Sequence, residues 1–520
     1  MSGLTRREAL QLFAGMGAAA VLGVGCATVR PTSPPVGWSL PKGQPLLLTN
    51  AVVVDVERGT HRRDVAVSIR DGLIAGLVEP RGDPSAADAR VIDCQGGYLI
   101  PGLINAHSHI NMPSISPIRF SDLGLIRDQI LKNYEDAVCW GVTTVRDMTA
   151  VPKMLRRDRA AIARGDLLGP RILSPFSFIT VPGGYPDFGG VGNQIARWFT
   201  GDPLLRAADA AECRQFVRQV REQGADLVKI GFDDRSFLWG KNDVRLPVLS
   251  DAQVEAVMDE AAQAGLPVSA HHLYSSGLDR GLQFGVNSLE HVPADAPISD
   301  RQMRAILDQK IPVVPTLMVG ISMAFAREGV ADPDDPILAD RRNWRDSVQL
   351  PEVPLHCRSE IAARNEQAAR FYRRGDYALP ENRGHEYFDP VLASRLLVMA
   401  ANNTARLIRD GATIGVGNDS GVFFIYPGMV HLEMECLCRV GLTPAQALRA
   451  ATLVNARLCR IDDRCGTIAA GKWADLVLLT GDPLADVANA GKVRAVFKQG
   501  ELVSAADGFV DPAAATKTAG

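Results

Sequence analysis

Short apolar runs with alternating polar positions occur near both ends of the chain. These runs are 47–54, 65–69, 72–78, 474–479 and 493–503. Alternation with a period of two, interrupted by turn-forming residues, is typical of β-strands with one buried face. Because β-rich segments flank a long middle region, we predict one small β-sandwich domain assembled from residues 46–101 and 465–510.

The middle of the chain alternates apolar strands with amphipathic helices, which indicates a parallel α/β fold. The predicted strands are Leu103–His109, Val142–Asp147, Arg171–Phe178, Asp226–Ile230, Leu266–His271, Ser288–Val292, Ile311–Thr316 and Thr413–Asp419. Helices are predicted after Ser250, which forms a capping box with Gln253, and after Thr443, which precedes a proline. Eight strands with helices between them predict a (β/α)8 TIM barrel over residues 102–464, with an insertion at about 320–395.

Composition and charge are those of a globular protein that acts on small molecules. The chain has 520 residues, of which 46% are hydrophobic and 22% are charged, and its net charge is −3. A nucleic-acid partner would require a basic face, so we expect a small-molecule substrate and no nucleic acid. The nine cysteines include no Cys-x-x-Cys pair. Pairing of Cys436 with Cys438, or of Cys459 with Cys465, is an alternative to buried free thiols.

Residues 1–30 are predicted to be a targeting segment. Arg6 and Arg7 precede an uncharged, Ala/Gly-rich stretch, which is typical of a twin-arginine (Tat) export signal. We therefore expect export to the periplasm, a linker over 31–45, and no stable membrane span in the mature protein. The alternatives are a short membrane anchor, which the Gly and Ala content disfavours, and a lipid anchor at Cys26.

Ionisable residues end five of the predicted strands, where a parallel barrel places its functional side chains. These residues are His107, His109, Lys229, His271, His291 and Asp419. His107 and His109 are two positions apart, so their side chains point to the same face of a strand. Each residue alone has a structural explanation, such as a hydrogen-bonded core histidine or a capping aspartate. Together they favour a metal site.

The residue types suit divalent transition metals. Histidine nitrogens and a carboxylate bind Zn²⁺, Mn²⁺, Fe²⁺ or Co²⁺ in preference to Mg²⁺ or Ca²⁺, and we expect Zn²⁺. Burial favours the neutral form of a lysine, so Lys229 could react with CO₂ to form a carbamate that bridges two metals. One or two ions would then activate a shared hydroxide. Asp419 would take the proton of that nucleophile and pass it to the leaving amine.

Longer motifs give the chain a family resemblance. They are Val91–His109, Gly141–Asp147, Gly285–His291, Leu442–Ala456 and Gly466–Leu478. From about Leu46 to Val503 the chain resembles the metal-dependent amidohydrolase superfamily, and within it the branch of imidazolonepropionase-like enzymes and Xaa-Pro (or Xaa-Arg) dipeptidases. The resemblance implies the two-part β domain as well as the barrel.

The resemblance also implies roles for single residues. The paired histidines of the family fall on His107 and His109, the carbamylated lysine on Lys229, the later ligands on His271 and His291, and the catalytic aspartate on Asp419. His291 and Asp419 are expected to take part in catalysis as well as in metal binding. The spacing to the following Glu-His pair selects His271, and His272 is expected to be structural or to support the ligands.

One motif departs from the family pattern. Relatives often carry Thr-Gly-Gly-His after the third strand, whereas this chain has a tyrosine, Tyr185, after the two glycines. We expect Tyr185 to contact the substrate in place of that histidine. His356, His385 and His431 have no ligand-like sequence context and are expected to be structural or exposed.

The implied activity is hydrolysis of a carbon–nitrogen bond in an amide, a cyclic amide or a dipeptide. The same binuclear site could instead cleave a lactone, an ester or an organophosphate. A non-catalytic binding protein is disfavoured because all six ligand positions are retained. A serine hydrolase is disfavoured because the chain has no Gly-x-Ser-x-Gly motif.

Overall fold

A computed structural model describes most of the chain. The described residues are 45–79, 89–112, 126–187, 201–235, 245–324, 390–421, 425–506 and 509. The predicted export signal, the linker up to residue 44, Cys26, His356, His385 and most of the predicted insertion lie outside them. Among the described helices, none combines the length and the apolar character that a membrane span requires.

The strands and helices follow one another along the chain as follows. The strands are β1 (Leu46–Thr49), β2 (Val52–Asp55), β3 (Thr60–Arg62), β4 (Ala66–Arg70), β5 (Leu73–Val78), β6 (Arg90–Asp93), β7 (Tyr98–Pro101), β8 (Leu103–Ser108), β9 (Val142–Asp147), β10 (Arg171–Leu173), β11 (Phe178–Thr180), β12 (Leu204–Arg206), β13 (Val228–Gly231), β14 (Val268–His271), β15 (Ser288–Glu290), β16 (Val313–Val314), β17 (Leu476–Leu479), β18 (Val493–Lys498) and β19 (Glu501–Ala505). The α-helices are α1 (Ile126–Cys139), α2 (Pro152–Arg164), α3 (Ala210–Glu222), α4 (Asp251–Ala264), α5 (Ser275–Phe284), α6 (Asp300–Gln309), α7 (Leu317–Ala324), α8 (Pro390–Arg409), α9 (Val430–Arg439), α10 (Pro444–Arg449) and α11 (Asn455–Leu458).

Two mixed sheets are formed by the segments before and after the middle region, the first from residues 46–93 alone and the second from both segments. Their strand orders are β5-β4-β1-β6 and β19-β18-β17-β7-β2-β3. In the second sheet β17 pairs with β7 in antiparallel register, which joins the two ends. Leu48 and Val67 from one sheet share a hydrophobic core with Leu476 and Phe497 from the other. Both chain ends therefore contribute to the same sheet and the same core.

The middle region contains parallel sheets, so the predicted parallel α/β class is confirmed. One sheet has the order β10-β9-β8, and the other has the order β12-β11-β13-β14-β15-β16. Every strand pair in these two sheets is parallel. Parallel strands place their carboxyl ends at one edge, which is where His271 and the residue after Glu290 lie.

The segment predicted as the eighth strand lies between β16 and β8 but has irregular backbone. Val313 of β16 forms backbone hydrogen bonds with Thr413 and Gly415, and the amide of Ala106 in β8 donates to the carbonyl of Val416 at 2.9 Å. The pairing consists of two isolated bridges, one between Ile414 and Val313 of β16 and one between Ser420 and Ser108 of β8. The segment therefore contacts both sheets without forming a continuous ladder.

The predicted run 493–503 is divided between β18 and β19 at Gln499, which has a φ of 49°. Two further predicted strands are divided in the same way. Arg171–Phe178 is divided between β10 and β11, because Pro175 has no amide hydrogen to donate and Phe176 takes a positive φ of 60°. The run 47–54 is divided between β1 and β2, since Asn50 has a φ of 52°. In both places a single residue with left-handed backbone turns the chain.

The predicted helix starts are confirmed. Ser250 and Gln253 form a capping box at α4, and Thr443 forms another with Gln446 at α10. From α10 the helical backbone continues through a π-helical turn, Ala450–Val454, into α11. These two helices therefore begin where their side-chain caps indicate.

Cys436, Cys438, Cys459 and Cys465 are free thiols. Cys436 and Cys465 are buried, and the other two are partly buried. This agrees with the interpretation as free thiols and not with the alternative pairings.

Candidate metal centre

Three predicted ligands converge at the end of β8. The imidazoles of His107 and His109 and the carboxylate of Asp419 offer ligand atoms that all lie within 4.8 Å of one another. Asp419 Oδ1 lies 3.3 Å from Nε2 of His107 and 3.2 Å from Nε2 of His109. His107 and Asp419 are buried, and His109 is nearly so. The strand pair and the distant aspartate therefore form one His-His-Asp cluster.

Glycines allow the Asp419 segment to approach β8 so closely. A Cβ at Gly417 would lie 2.5 Å from the backbone nitrogen of His107, and a Cβ at Gly421 would lie 2.2 Å from the carbonyl oxygen of His109. Asp419 itself has a φ of 52°. Left-handed backbone is costly for a residue other than glycine and persists where the surrounding structure fixes it. The local sequence thus places the carboxylate against both histidines.

His271 and His291 lie beside this cluster. The ring centroids of His107 and His291 are 4.8 Å apart, and those of His271 and His291 are 4.5 Å apart. His291 also has left-handed backbone, with a φ of 71°. The structure therefore brings all four predicted histidine ligands into one row of neighbouring rings.

Lys229 lies in β13, in register with Ser269 of β14. Its Nζ atom is buried, has no hydrogen-bond partner and lies 6.0 Å from the ring centroid of Phe178. Burial lowers the pKa of Lys229 to about 8, because a charged ammonium loses its hydration there. A substantial fraction of this lysine is therefore neutral at mildly alkaline pH.

Two of the histidines donate one ring N–H to a neutral oxygen. His109 Nδ1 lies 3.4 Å from the carbonyl oxygen of Thr149, which can only accept. His291 Nδ1 lies 2.6 Å from Oγ1 of Thr316, and that hydroxyl donates its own hydrogen to the carbonyl of Pro315. Both imidazoles therefore carry hydrogen on Nδ1, and in the neutral form each keeps a lone pair on Nε2.

The other two histidines contact buried carboxylates. His107 Nδ1 lies 2.7 Å from Oε2 of Glu290, and His271 Nε2 lies 2.9 Å from Oδ2 of Asp233. A carboxylate that accepts from one ring nitrogen leaves the lone pair of the other nitrogen for a metal, which is the usual support for a metal-binding histidine. These contacts leave Nε2 of His107 and Nδ1 of His271 for a ligand.

The electrostatics of the cluster favour a cation. Burial opposes the charge of Asp419, but the neighbouring His107 holds the pKa of this carboxyl well below its usual value. Asp419 in turn outweighs burial and raises the pKa of His109. Burial lowers the pKa of His271 and His291 well below the usual value, so these rings are neutral. An ionised carboxylate with two neutral imidazoles beside it, and two further imidazoles that can release a proton when a cation binds, forms a donor set that a divalent transition metal prefers.

An unsatisfied buried oxygen of Asp419 also favours a bound cation. Asp419 Oδ1 is buried and accepts no well-aligned hydrogen bond, although two imidazole nitrogens lie close to it. Buried polar atoms normally have a hydrogen-bond partner, and exceptions indicate an absent water or ion. The residues present therefore fit a divalent metal ion.

Tyr185 lies against one face of His271. The two rings are stacked with centroids 4.1 Å apart and an interplanar angle of 15°. The backbone carbonyl of Tyr185 accepts a hydrogen bond from Thr180. Burial raises the pKa of Tyr185 well above its usual value, so the hydroxyl keeps its hydrogen. The side chain thus forms part of the wall of the site.

Some residues around the cluster were missed by the sequence analysis. They are Arg146, Asp233, Glu290 and Thr316. Glu290 and Arg146 are charged residues within fully buried strands, and a charged residue in a buried strand is a signal that could have identified them. Asp233 and Thr316 follow strands in ordinary loop sequence, so nothing in the sequence sets them apart.

His272 and His431 are buried histidines outside the proposed ligand set. Burial lowers the pKa of His272 and of His431 to about 4, so both are neutral. His431 is buried and stacked on Trp140 with ring centroids 4.5 Å apart. The structural role expected for His431 agrees with this packing.

Comparisons with known proteins agree with the geometry. A model of the amidohydrolase family matches residues 98–503. An ochratoxinase from Aspergillus niger is 22% identical over 370 residues, which cover 67% of this chain and 63% of that protein. An imidazolonepropionase from Desulfotalea psychrophila is 34% identical over 113 residues, covering 21% of this chain and 26% of that protein. The alignment thus spans less than two thirds of each relative.

The fold also matches that of solved structures. The crystal structure of a Xaa-Pro dipeptidase with bound methionine in the active site has a TM-score of 0.67 to this chain, with 21% sequence identity. The match covers 88% of this chain and 99% of that one. At this identity the likeness concerns the fold.

Proposed function

Because this chain belongs to the amidohydrolase family, we propose that it is a metal-dependent hydrolase of carbon–nitrogen bonds. The observation that carries the proposal is the cluster of His107, His109 and Asp419, in which two imidazoles lie beside a buried carboxylate. The hydrogen bonds behind the histidines support it further, because they leave a lone pair on each ring for a cation.

We assign metal binding to one or two divalent ions, and Zn²⁺ is the expected ion. The ligands are His107, His109, His271, His291, Asp419 and Lys229, the last as a carbamate formed with CO₂. When bound, such ions act as Lewis acids that activate water and polarise a carbonyl. A carbamate would supply negative charge beside His271 and His291, where the lysine itself supplies none.

Asp419 carries the proton in the proposed reaction. Its carboxylate accepts a proton from the attacking water, whose oxygen forms a bond to the carbonyl carbon. It returns the proton to the nitrogen as the carbon–nitrogen bond breaks, so the products are a carboxylic acid and an amine. His291 lies between His107 and His271, and we assign it both to metal binding and to the reacting centre.

Tyr185 is proposed to bind the substrate. Its hydroxyl keeps its hydrogen and is therefore a donor for a carboxylate or an oxyanion. The substrates we propose are small N-acyl amino acids, cyclic amides or dipeptides, which the likeness to a dipeptidase and to an imidazolonepropionase supports. Hydrolysis of a lactone, an ester or an organophosphate by the same site is the alternative.

A paired measurement of metal content and hydrolysis tests the proposal. The purified protein is expected to hold one to two transition-metal ions per chain and to cleave amides faster than matched esters and phosphotriesters. Faster cleavage of esters would favour the alternative. If no metal binds even after addition of Zn²⁺ and bicarbonate, the metallohydrolase proposal is wrong.

We also propose that the parallel strands close into a (β/α)8 barrel, with residues 413–420 as the eighth strand and residues 46–101 and 465–510 as the β-sandwich. The hydrogen bonds of this segment to β16 and to β8 support closure. Gly417→Val would push the segment away from His107 and is expected to lower metal content. Gly76→Val, where no atom lies within 4 Å of the added Cβ, is the matched control. Equal metal content in the two variants would contradict closure at β8.

For residues 1–30 we propose export by the Tat pathway, on the basis of Arg6 and Arg7 before an uncharged stretch. Replacement of both arginines by lysine is expected to keep the protein in the cytoplasm, as measured by cell fractionation. Removal of residues 1–27 is expected to leave active protein in solution. Full-length protein in the membrane fraction, with the truncated protein in solution, would favour a membrane anchor, and a lipid on Cys26 would be detected by mass spectrometry.

A further inference from the structure

A buried ion pair lies directly behind His107 and is not among the proposed metal ligands. It joins Arg146 of β9 to Glu290 of β15, with 2.6 Å between Nη2 and Oε1. The side chains are 5% and 0% exposed. Removing two charges from water is costly, and a buried ion pair often adds no stability over apolar side chains. A requirement for fold stability alone therefore gives a weak explanation for this pair.

The carboxylate of Glu290 divides its two oxygens between different partners. Oε1 accepts from Arg146, from Ser269 Oγ at 2.5 Å and from Ser288 Oγ at 2.7 Å. Oε2 accepts from His107 Nδ1 at 2.7 Å. Three donors on Oε1 fix the orientation of the carboxylate, so Oε2 is held facing the imidazole.

Arg146 holds the backbone beside the same histidine. Its Nε donates to the carbonyl oxygen of Ala106 at 2.6 Å, and its Nη1 donates to Ser288 Oγ at 3.1 Å. Ala106 directly precedes His107 in β8. One guanidinium thus fixes both the strand that carries the ligand and the carboxylate that orients its ring.

We propose that Glu290 and Arg146 are positioning residues for His107, which keep hydrogen on Nδ1 and direct the Nε2 lone pair toward the proposed metal position beside Asp419. A carboxylate acceptor at Nδ1 makes the imidazole a stronger ligand, and the guanidinium of Arg146, 2.6 Å from that carboxylate, holds it in place. The inference rests on the proposed metal site and adds the residues that prepare it.

Glu290→Gln tests the inference. A glutamine offers one carbonyl oxygen for both His107 and Arg146, and its NH₂ group must face one of these donors. We expect the affinity for Zn²⁺, measured by competition with a chromophoric chelator, to fall about 10- to 100-fold. The absorption bands of the Co²⁺-loaded protein are expected to shift as well. Glu290→Asp, which keeps the charge, is expected to recover part of the affinity.

Asp475→Asn is the matched control. Asp475 is a buried carboxylate paired with Arg171 at 2.8 Å, and it precedes β17 of the sheet that the chain ends form. The control is expected to lose stability while keeping the wild-type affinity for Zn²⁺. Equal affinity in Glu290→Gln and wild type would overturn the inference, whereas absence of Zn²⁺ binding in wild type would overturn the proposed function itself.

A second measurement applies if Glu290→Gln does not fold. In wild-type protein labelled with ¹⁵N-histidine, the ring nitrogens of His107 are identified by the loss of their signals in His107→Asn. The inference predicts hydrogen on Nδ1 and none on Nε2 in the Zn²⁺-loaded protein and in the neutral metal-free ring. Hydrogen on Nε2 in the neutral metal-free ring would overturn it.

Discussion

His107 and His271 are each supported from behind by a buried carboxylate, but the two carboxylates differ in what balances their charge. Glu290, behind His107, has the guanidinium of Arg146 at 2.6 Å. Although burial favours the neutral acid, Arg146 holds the pKa of Glu290 well below its usual value. Asp233, behind His271, is held instead by a backbone amide, and burial raises its pKa to about 7.

The difference separates the site into two halves with different charge. The half around His107 contains an ionised ligand, Asp419, and a support, Glu290, whose charge is balanced by Arg146. It also contains Asp147, a buried carboxyl that interacts with His109 and whose pKa is raised by burial to about 7. The half around His271 contains Asp233, with a pKa of about 7, and Lys229, with a pKa of about 8, so two of its groups titrate near neutral pH. We infer that the support behind His107 keeps its charge across neutral pH, whereas the half around His271 depends on proton loss and on CO₂.

The largest effect of a substitution on kcat is expected at Asp419, in the His107 half of the site. Asp419→Asn keeps the shape of the side chain but cannot carry a proton, so kcat is expected to fall about 10²- to 10⁴-fold. Metal content is expected to stay at one ion per chain or more, because His107 and His109 keep their supports. An unchanged kcat would rule out the proton-carrying role, and complete loss of metal would show that Asp419 acts mainly as a ligand.

The next effect is expected in the His271 half, at Lys229. Lys229→Ala removes the amine that would form the carbamate. The variant is therefore expected to bind about one metal ion fewer per chain, and its kcat is expected to fall roughly 100-fold, or ~3 kcal/mol. Acetate or propionate is expected to restore part of both. Lys498→Ala is the matched control, because Lys498 is also buried, with a pKa lowered to about 8, but donates to a backbone carbonyl. Equal metal loss in Lys229→Ala and Lys498→Ala would contradict a specific role of Lys229 in the His271 half of the site.

The sequence predicted the ligand-bearing edge because parallel strands end on one side. His107 and His271 each follow an apolar run, His291 follows a short predicted strand, and the shared direction of parallel strands places their ends together. The Asp419 segment was predicted as a strand from its apolar residues and glycines. Its irregular bridges arise because Gly417 packs against the backbone of His107, a contact between distant parts of the chain that no local pattern encodes.

The supports of the histidines could be predicted only in part. Glu290 and Arg146 are charged residues within buried strands, and their placement is recognisable as unusual. Which histidine they contact depends on how β8, β9 and β15 face one another in the interior, and sequence periodicity does not give that. Asp233 and Thr316 lie in loops, where neighbouring strands and not local propensity determine the contacts.

A smaller effect is expected at Asp233. Asp233→Asn retains an acceptor but removes the charge behind His271, and the affinity for the second metal ion is expected to fall about tenfold. A cation on His271 favours ionised Asp233, whose pKa is raised to about 7. In wild type, therefore, the contribution of Asp233 to the affinity should rise with pH up to about 7 and then level off, while deprotonation of Lys229 adds a further rise toward pH 8 in both proteins.

Asp233→Asn is expected to lose the rise in affinity that ends near pH 7, because an amide does not titrate in that range. Zn²⁺ affinity measured by chelator competition from pH 6 to 9 tests it. Protonation of the histidine ligands themselves acts on both proteins, so the comparison isolates Asp233. Parallel profiles in wild type and Asp233→Asn would show that the two halves do not differ in proton sensitivity.

The smallest effect is expected at Tyr185, which covers His271 but holds no charge. Tyr185→Phe keeps the ring stacked on His271 and removes one hydroxyl donor, so KM is expected to rise about 2- to 10-fold, the range for one hydrogen bond. Tyr185→Ala removes the stack as well and is expected to weaken the second metal ion. A fall in kcat with unchanged KM in the phenylalanine variant would instead place the hydroxyl at the transition state, because only an interaction formed there changes kcat alone.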